Sequence, residues 1–140
     1  MAKRMRMGKS SELTVAGELI RHGLDVYLPC VDDQAIDLVI RADAEEGPRY
    51  YDVQVKSVAG YNRIIGVRSP EHQRGRYVLV VHYRHGNRPD EFLYLAADQI
   101  RRYHLKDSTW GDLVLNRAER DQLHAQDLAD LARRIGAGDL

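Results

Sequence analysis

Ala35-Ile36-Asp37-Leu38-Val39-Ile40 and, after a charged turn, Tyr51-Asp52-Val53-Gln54-Val55-Lys56-Ser57 decide how this chain is read. Both runs are rich in apolar and β-branched residues and read as two paired strands. Side chains alternate across a strand, so Gln54 and Lys56 share one face while Val53 and Val55 point to the other, into a core. A lysine on an inward-looking face needs a partner, because a buried charge is costly unless it is paired. The carboxylate of Asp37 on the neighbouring strand is the natural one. Carboxylate, oxygen donor and ammonium gathered at a strand fork suit a hard divalent metal and the water it activates.

This arrangement resembles the PD-(D/E)XK nuclease superfamily, whose signature is an acidic residue on one strand and (D/E)XK on the next, often with a glutamate from the preceding helix. The matching positions are Asp37, then Gln54, Val55 and Lys56, with a helix upstream. Ile36 stands where the family name has proline, and Gln54 where an acid is commoner; branches of the superfamily show both departures. Helix, strand, acidic strand and QXK strand follow the family's order across roughly the first half of the chain. The resemblance implies metal-dependent hydrolysis of DNA phosphodiester bonds by a restriction-endonuclease-like core. It further implies that Asp37, the side-chain oxygen of Gln54, the carbonyl of Val55 and Glu12 hold Mg²⁺, with Mn²⁺ as a substitute. Lys56 would orient and help deprotonate the attacking water and steady the charge on the phosphate, with Ser57 in support at the edge. Holliday-junction resolvases, restriction enzymes, repair nucleases and intron-encoded endonucleases all fall within the resemblance.

Working outward, Ser10 or Ser11 is a suitable N-cap, and Glu12 through Gly23 reads as an amphipathic helix closed by Gly23. At helical pitch Val15, Ala16 and Leu19 fall on one face, with Glu12 on that face one turn earlier and Glu18 on a flank. Glu12 is therefore preferred to Glu18 as a site residue. Its setting resembles a Gly-Glu-x-x-Val-Ala pattern of some relatives, with Ser11 replacing glycine. The alternative role for Glu12 is a first-turn acid that complements the helix dipole.

With 140 residues and no linker-like run, the chain reads as one domain large enough for a real core, residues 1–104 forming the nuclease-like part and 105–140 a C-terminal extension. No apolar run reaches membrane-spanning length, and the basic start lacks the apolar centre of a signal peptide, so the expected setting is cytoplasmic, without a membrane partner. Cys30 is the single cysteine, which excludes an internal disulfide and a cysteine zinc cluster. Net charge is zero but unevenly spread. Lys3, Arg4, Arg6 and Lys9 crowd the start, and Arg63, Arg68, Arg74, Arg76, Arg84 and Arg88 face only Glu71 in residues 58–88. Lys9, Arg63, Arg68, Arg74 and Arg76 are the expected DNA contacts, flanking the metal site in sequence.

The remaining elements follow from local signals. Asp25 to Leu28 reads as a strand ended by Pro29, Asp32-Asp33 as a turn, and Ala42 to Arg49 as a hairpin loop. Gly60, Gly66, Pro70 and Gly75 break any long helix after Ser57, leaving a short strand at Ile64 to Val67 and a short helix from Pro70. Tyr77 to Tyr83 is a strand covered on both faces, and Glu91 to Leu95 its hairpin partner. Ala96 to His104 reads as a short helix and Asp112 to Leu115 as a strand. A capping box at Asn116 and Glu119 opens a helix running to Ile135. The stripe Leu128, Leu131, Ala132 and Ile135 packs on its own domain; packed on a second copy it would make a homodimer. His82, His85 and His104 read as surface or hairpin residues, Cys30 as a small apolar residue at a strand end, and Trp110 as a packing anchor. The expected architecture is α/β, a mixed central sheet flanked by helices. The alternative functions are a nucleic-acid-binding module without catalysis, since Gln54 removes a charge from the site, and a protein-interaction subunit.

Overall fold

A computed structural model describes residues 2–31, 35–67, 75–103 and 112–140. Helix α1 (Ala2–Arg21) leads into β1 (Asp25–Tyr27), β2 (Leu38–Ala44), β3 (Gly47–Ala59) and β4 (Ile64–Gly66); β5 (Tyr77–Arg84) and β6 (Glu91–Ala96) precede α2 (Ala97–Tyr103), and β7 (Asp112–Val114), α3 (Arg117–Gln122) and α4 (Leu128–Ala137) complete the chain. The Asp32-Asp33 turn, the short helix from Pro70, and Arg68, Arg74, His104 and Trp110 lie outside the described residues.

The architecture is mixed α/β. One five-stranded sheet has the order β1-β2-β3-β5-β6, and β4 pairs with β7 beside it. Neighbours are antiparallel except β3 and β5, which run parallel from Asp52 opposite Tyr77 to Ala59 opposite Arg84. The period-two alternation of these two strands fixes two cores. Tyr51, Val53, Val55, Val78 and Val80 face Val15, Ala16 and Leu19 of α1 and Leu128, Leu131 and Ile135 of α4. Val58, Tyr77, Leu79, Val81 and Tyr83 face Ile65, Ile100, Leu113 and Leu123 from the second layer. With both faces covered, β5 is apolar almost without interruption, as a doubly buried strand must be.

Three elements differ from the sequence reading. The first helix begins at Ala2, ten residues before Glu12, because Ala, Lys, Arg and Met are good helix formers and neither serine acts as a cap. Gly23, at φ 89°, closes it as expected. The hairpin between β2 and β3 is almost all strand, pairing down to Ala44 opposite Gly47 with only Glu45 and Glu46 in the turn. The C-terminal helix is two: Asn116 caps α3 through the expected box, but Asp127 caps a fresh start by accepting from the Asp130 N–H. Between the two helices Gln126 is drawn to β6, where its carbonyl accepts from Tyr94 N–H (2.9 Å) and its amide donates to the Tyr94 carbonyl (2.8 Å).

The stripe on α4 is buried within the chain, and Tyr94 secures it by donating to Asp130 (2.6 Å) while accepting from Arg134 (2.9 Å). Leu131 is fully buried at its centre. Leu131→Ala is expected to cost about 2–5 kcal/mol of stability through lost burial and the cavity left behind, measured by urea unfolding.

Candidate active site

The register of β2 with β3 ends at Leu38 opposite Val53, which is where the two strands part. One residue earlier, Asp37 still donates its own N–H to the Val53 carbonyl (2.8 Å), and its carboxylate then turns to accept from Val55 N–H (2.7 Å). A strand residue directs its N–H and C=O to the same edge. The Val55 carbonyl therefore opens into the space β2 has left, beside Asp37. Gln54 and Lys56, flanking Val55, point to the face away from α1, since Val55 packs in the α1 core. The fork thus holds Asp37 bonded to Val55, with Gln54 and Lys56 at the strand positions on either side of Val55.

Gln54 is buried at 5 % exposure, and its amide is held by Tyr77. The Tyr77 hydroxyl lies 2.8 Å from the Ala35 carbonyl and 3.1 Å from Gln54 Oε1. A phenol has a single proton, which serves the nearer acceptor better. The Ala35 carbonyl thus takes the shorter bond, and Gln54 Oε1 accepts the longer one from the same hydroxyl. Ala35 is the one described non-glycine residue at positive φ (56°). Left-handed backbone costs such a residue on the order of 1 kcal/mol, and it is held here, two residues before Asp37, by Tyr77. Neither Tyr77 nor Ala35 carries a local sequence signal for this role, because Tyr77 reaches the fork only through the β3–β5 register.

The donor set fits a hard divalent cation held through one carboxylate, one backbone carbonyl and one carboxamide oxygen, the rest of its shell being water or substrate. No described group of three or more His, Cys, Asp or Glu side chains gathers to hold a metal. Asp52 shares the face of Gln54 and Lys56, and burial pushes its carboxyl above the usual range. Sequence reasoning passed over it as an ordinary strand residue.

Glu12 lies on α1 next to Ser11, which bonds to His82 opposite Ser57. It stands at the level of the C-terminal half of β3, where β2 has already ended. Its side chain is 12 % exposed and paired with Lys9 at 2.7 Å, whereas Glu18 is 33 % exposed and paired with Arg21. Glu12 is thus the more enclosed of the two, but it sits in the third turn or later, so the first-turn role is excluded. Of the expected DNA contacts, Lys9, Arg63 and Arg76 are exposed. Arg63 lies past the C-terminal end of β3, while Arg76 precedes β5 and stacks over Tyr51 at 6.0 Å. They occupy different ends of the sheet rather than one patch.

The histidines differ from expectation. His82 is buried at 5 %, stacked on Phe92, with Ser11 Oγ 2.6 Å from Nδ1 and Asp90 Oδ2 2.7 Å from Nε2. A carboxylate only accepts, so Nε2–H donates to Asp90, and in the neutral ring Nδ1 accepts from Ser11. Ser11 is itself 2 % exposed, and this chain of bonds fastens α1 to the sheet. The His85 side chain is packed against Tyr61 and bonded to Glu91 (2.8 Å). Cys30 is exposed rather than packed, because the chain leaves the sheet after Tyr27.

Compared with known proteins, the chain matches no protein-family profile, and no curated protein sequence is significantly similar to it. No helix among the described residues is long and apolar enough to cross a membrane.

The backbone N–H of His85 and, next, the ring of His82 hold the Asp90 carboxyl below its usual range. A depressed carboxyl stabilises the fold at pH values above its unfolded pKa of about 3.9 and loses that contribution as pH falls through the lower folded value. Asp90→Asn is expected to lower the unfolding temperature at pH 7 and to bring the variant and wild-type curves together towards pH 2.5. Curves that stay parallel across that range would remove Asp90 from the fastening of α1.

Proposed function

We propose that the chain is a metal-dependent deoxyribonuclease that hydrolyses DNA phosphodiester bonds at the β2–β3 fork. The observation that carries this reading is the Asp37 carboxylate bonded to Val55 N–H, between Gln54 and Lys56 on adjacent strand positions. A second support is the order of elements, with a helix, an antiparallel three-strand meander and a crossover to a parallel strand, which agrees with the resemblance that makes DNA the expected substrate.

Asp37, the Val55 carbonyl and the Gln54 oxygen would hold the ion, with Glu12 reaching the fork from the α1 side; Mg²⁺ or Mn²⁺ bound there would supply Lewis-acid stabilisation of charge on the phosphate and a more acidic water. The chain's own contributions are separate. Val55 N–H fixes the rotamer of Asp37, Tyr77 fixes Gln54, and Lys56 places a positive charge where negative charge develops in the transition state. Lys56 also stands ready to accept or steer a proton of the attacking water. Lys9, Arg63 and Arg76 would supply phosphate contacts at separate points of the surface, and Arg68 and Arg74 are expected from the sequence alone to add to them.

Asp37→Ala or Lys56→Ala is expected to lower cleavage of plasmid and branched DNA about 10²-fold or more, with folding and most DNA retention preserved. Full activity of either purified variant would end the assignment. The runner-up is DNA binding without hydrolysis, and the observation that favours it is the neutral Gln54 already engaged by Tyr77. Gln54→Glu adds a charge to the donor set and is expected to tighten Mn²⁺ binding by the free protein by about one order of magnitude in calorimetry. Activity need not rise, because the added carboxylate also stabilises protonated Lys56 and makes it a poorer proton acceptor. No gain in Mn²⁺ affinity, with DNA still bound, would make the binding module the better reading.

A further inference from the structure

On the sheet face away from α1, a cleft of about 90 Å³ opens between the start of β6, the end of β5 and α3. It has room for several waters or one tetrahedral oxyanion. At its floor lies Tyr83, 2 % exposed, whose hydroxyl has no hydrogen-bond partner among the described residues. A buried phenol left unpaired is costly, and buried polar groups nearly always have a partner in the functioning molecule. Burial pushes this phenol up to about 12, so it stays a proton donor at any physiological pH.

Arg120 lines the cleft, and a second guanidinium, that of Arg88, lies over the lining residue Tyr61. Arg120 stacks 3.8 Å from the centroid of Tyr61 and Arg88 lies 5.0 Å from it. Neither forms an ion pair with a described residue. Stacking on a ring holds a guanidinium flat and leaves its in-plane N–H groups directed outward, the geometry suited to a planar oxyanion edge. The nearby acids are otherwise engaged. Glu91 accepts from the Tyr61 hydroxyl and from His85, and Asp121, largely exposed, faces Arg117 at 3.9 Å. Two like charges drawn to one tyrosine, above a buried donor without an acceptor, call for an anion that offers oxygens in three directions. A carboxylate offers two.

We propose that this cleft binds a phosphate group through Arg88, Arg120 and the Tyr83 hydroxyl, without a metal. The site is separate from the fork and does not rest on the nuclease reading. Val58 pairs with Tyr83, and Lys56 precedes Val58 by two residues on the same face, so the cleft lies one strand over and about 7 Å further along from Lys56. The phosphate comes either from a nucleic-acid backbone or from a small phosphorylated molecule.

The test uses inorganic phosphate with the whole chain in EDTA, followed by thermal unfolding and calorimetry. Phosphate is expected to raise the unfolding temperature of the wild type. Tyr83→Phe removes an unpaired buried hydroxyl, so without phosphate it should unfold at a higher temperature than the wild type, yet lose most of the phosphate-induced rise. Those opposite signs separate a ligand site from a mere packing defect. Arg120→Gln, on a partly exposed side chain, should weaken phosphate binding about tenfold while folding normally. Asp37→Ala should bind phosphate as the wild type does, which keeps this site distinguishable from the fork. No rise in the wild type, or an equal rise in Tyr83→Phe and Arg120→Gln, overturns the proposal. A single-stranded oligonucleotide in EDTA then identifies the source. A salt slope lower by about one unit in Arg120→Gln assigns the phosphate to a nucleic-acid backbone; an unchanged slope beside lost inorganic phosphate assigns it to a small phosphorylated ligand.

Discussion

Strands β3 and β5 lie side by side and run the same way, and a parallel pair cannot be closed by a hairpin. The chain must return the full length of the sheet between Gly60 and Tyr77. The first described part of that return, β4, lies on the face away from α1, where it finds β7 as a partner and Ile65 joins the second core. Both cores depend on this pairing, because alternate residues of the same two strands supply each of them. It also brings Tyr77 over Gln54 and His82 opposite Ser57, so the fork and the fastening of α1 are set by one register.

The fork is a place where the ladder stops for a reason. Asp37 spends its N–H on Val53 and its carboxylate on Val55, taking over with a side chain the hydrogen bond that another strand residue would have made. A carboxylate used this way has its rotamer fixed by backbone geometry, and a fixed rotamer is what a preorganised site requires. The strained Ala35 belongs to the same region.

Much of the fold was legible because it is written in local patterns. The alternation of Tyr51 to Ser57, the apolar run Val78 to Val81, the Asn116–Glu119 box and Gly23 each act within a few residues of themselves. The misreadings have a common cause. Ser11 has the chemistry of a cap, but its hydroxyl is committed to His82, 71 residues away. His82 looked like a hairpin residue because its partners, Ser11 and Asp90, approach from different elements. Gln126 broke the predicted C-terminal helix because β6 needed it. Of the candidate site, the meeting of Asp37 with the Gln54–Lys56 strand was legible through spacing, while Tyr77, Asp52 and the Tyr83 cleft depend on the parallel register, which no local signal specifies.

Gln126 has one more effect. On β6, Tyr94 directs its N–H and C=O away from β5, and Gln126 occupies both, one with its backbone and one with its amide; Ala96 N–H is taken by Gln99, which Gln126 also holds. Exposed strand edges recruit strands from other chains and are a common route to aggregation. Here a single glutamine imitates a fragment of a sixth strand and closes that template. The opposite edge, β1, offers three residues before Pro29 interrupts the line of donors. The sheet is therefore blunted at both margins, and growth by strand addition is discouraged without a barrel or a covering helix.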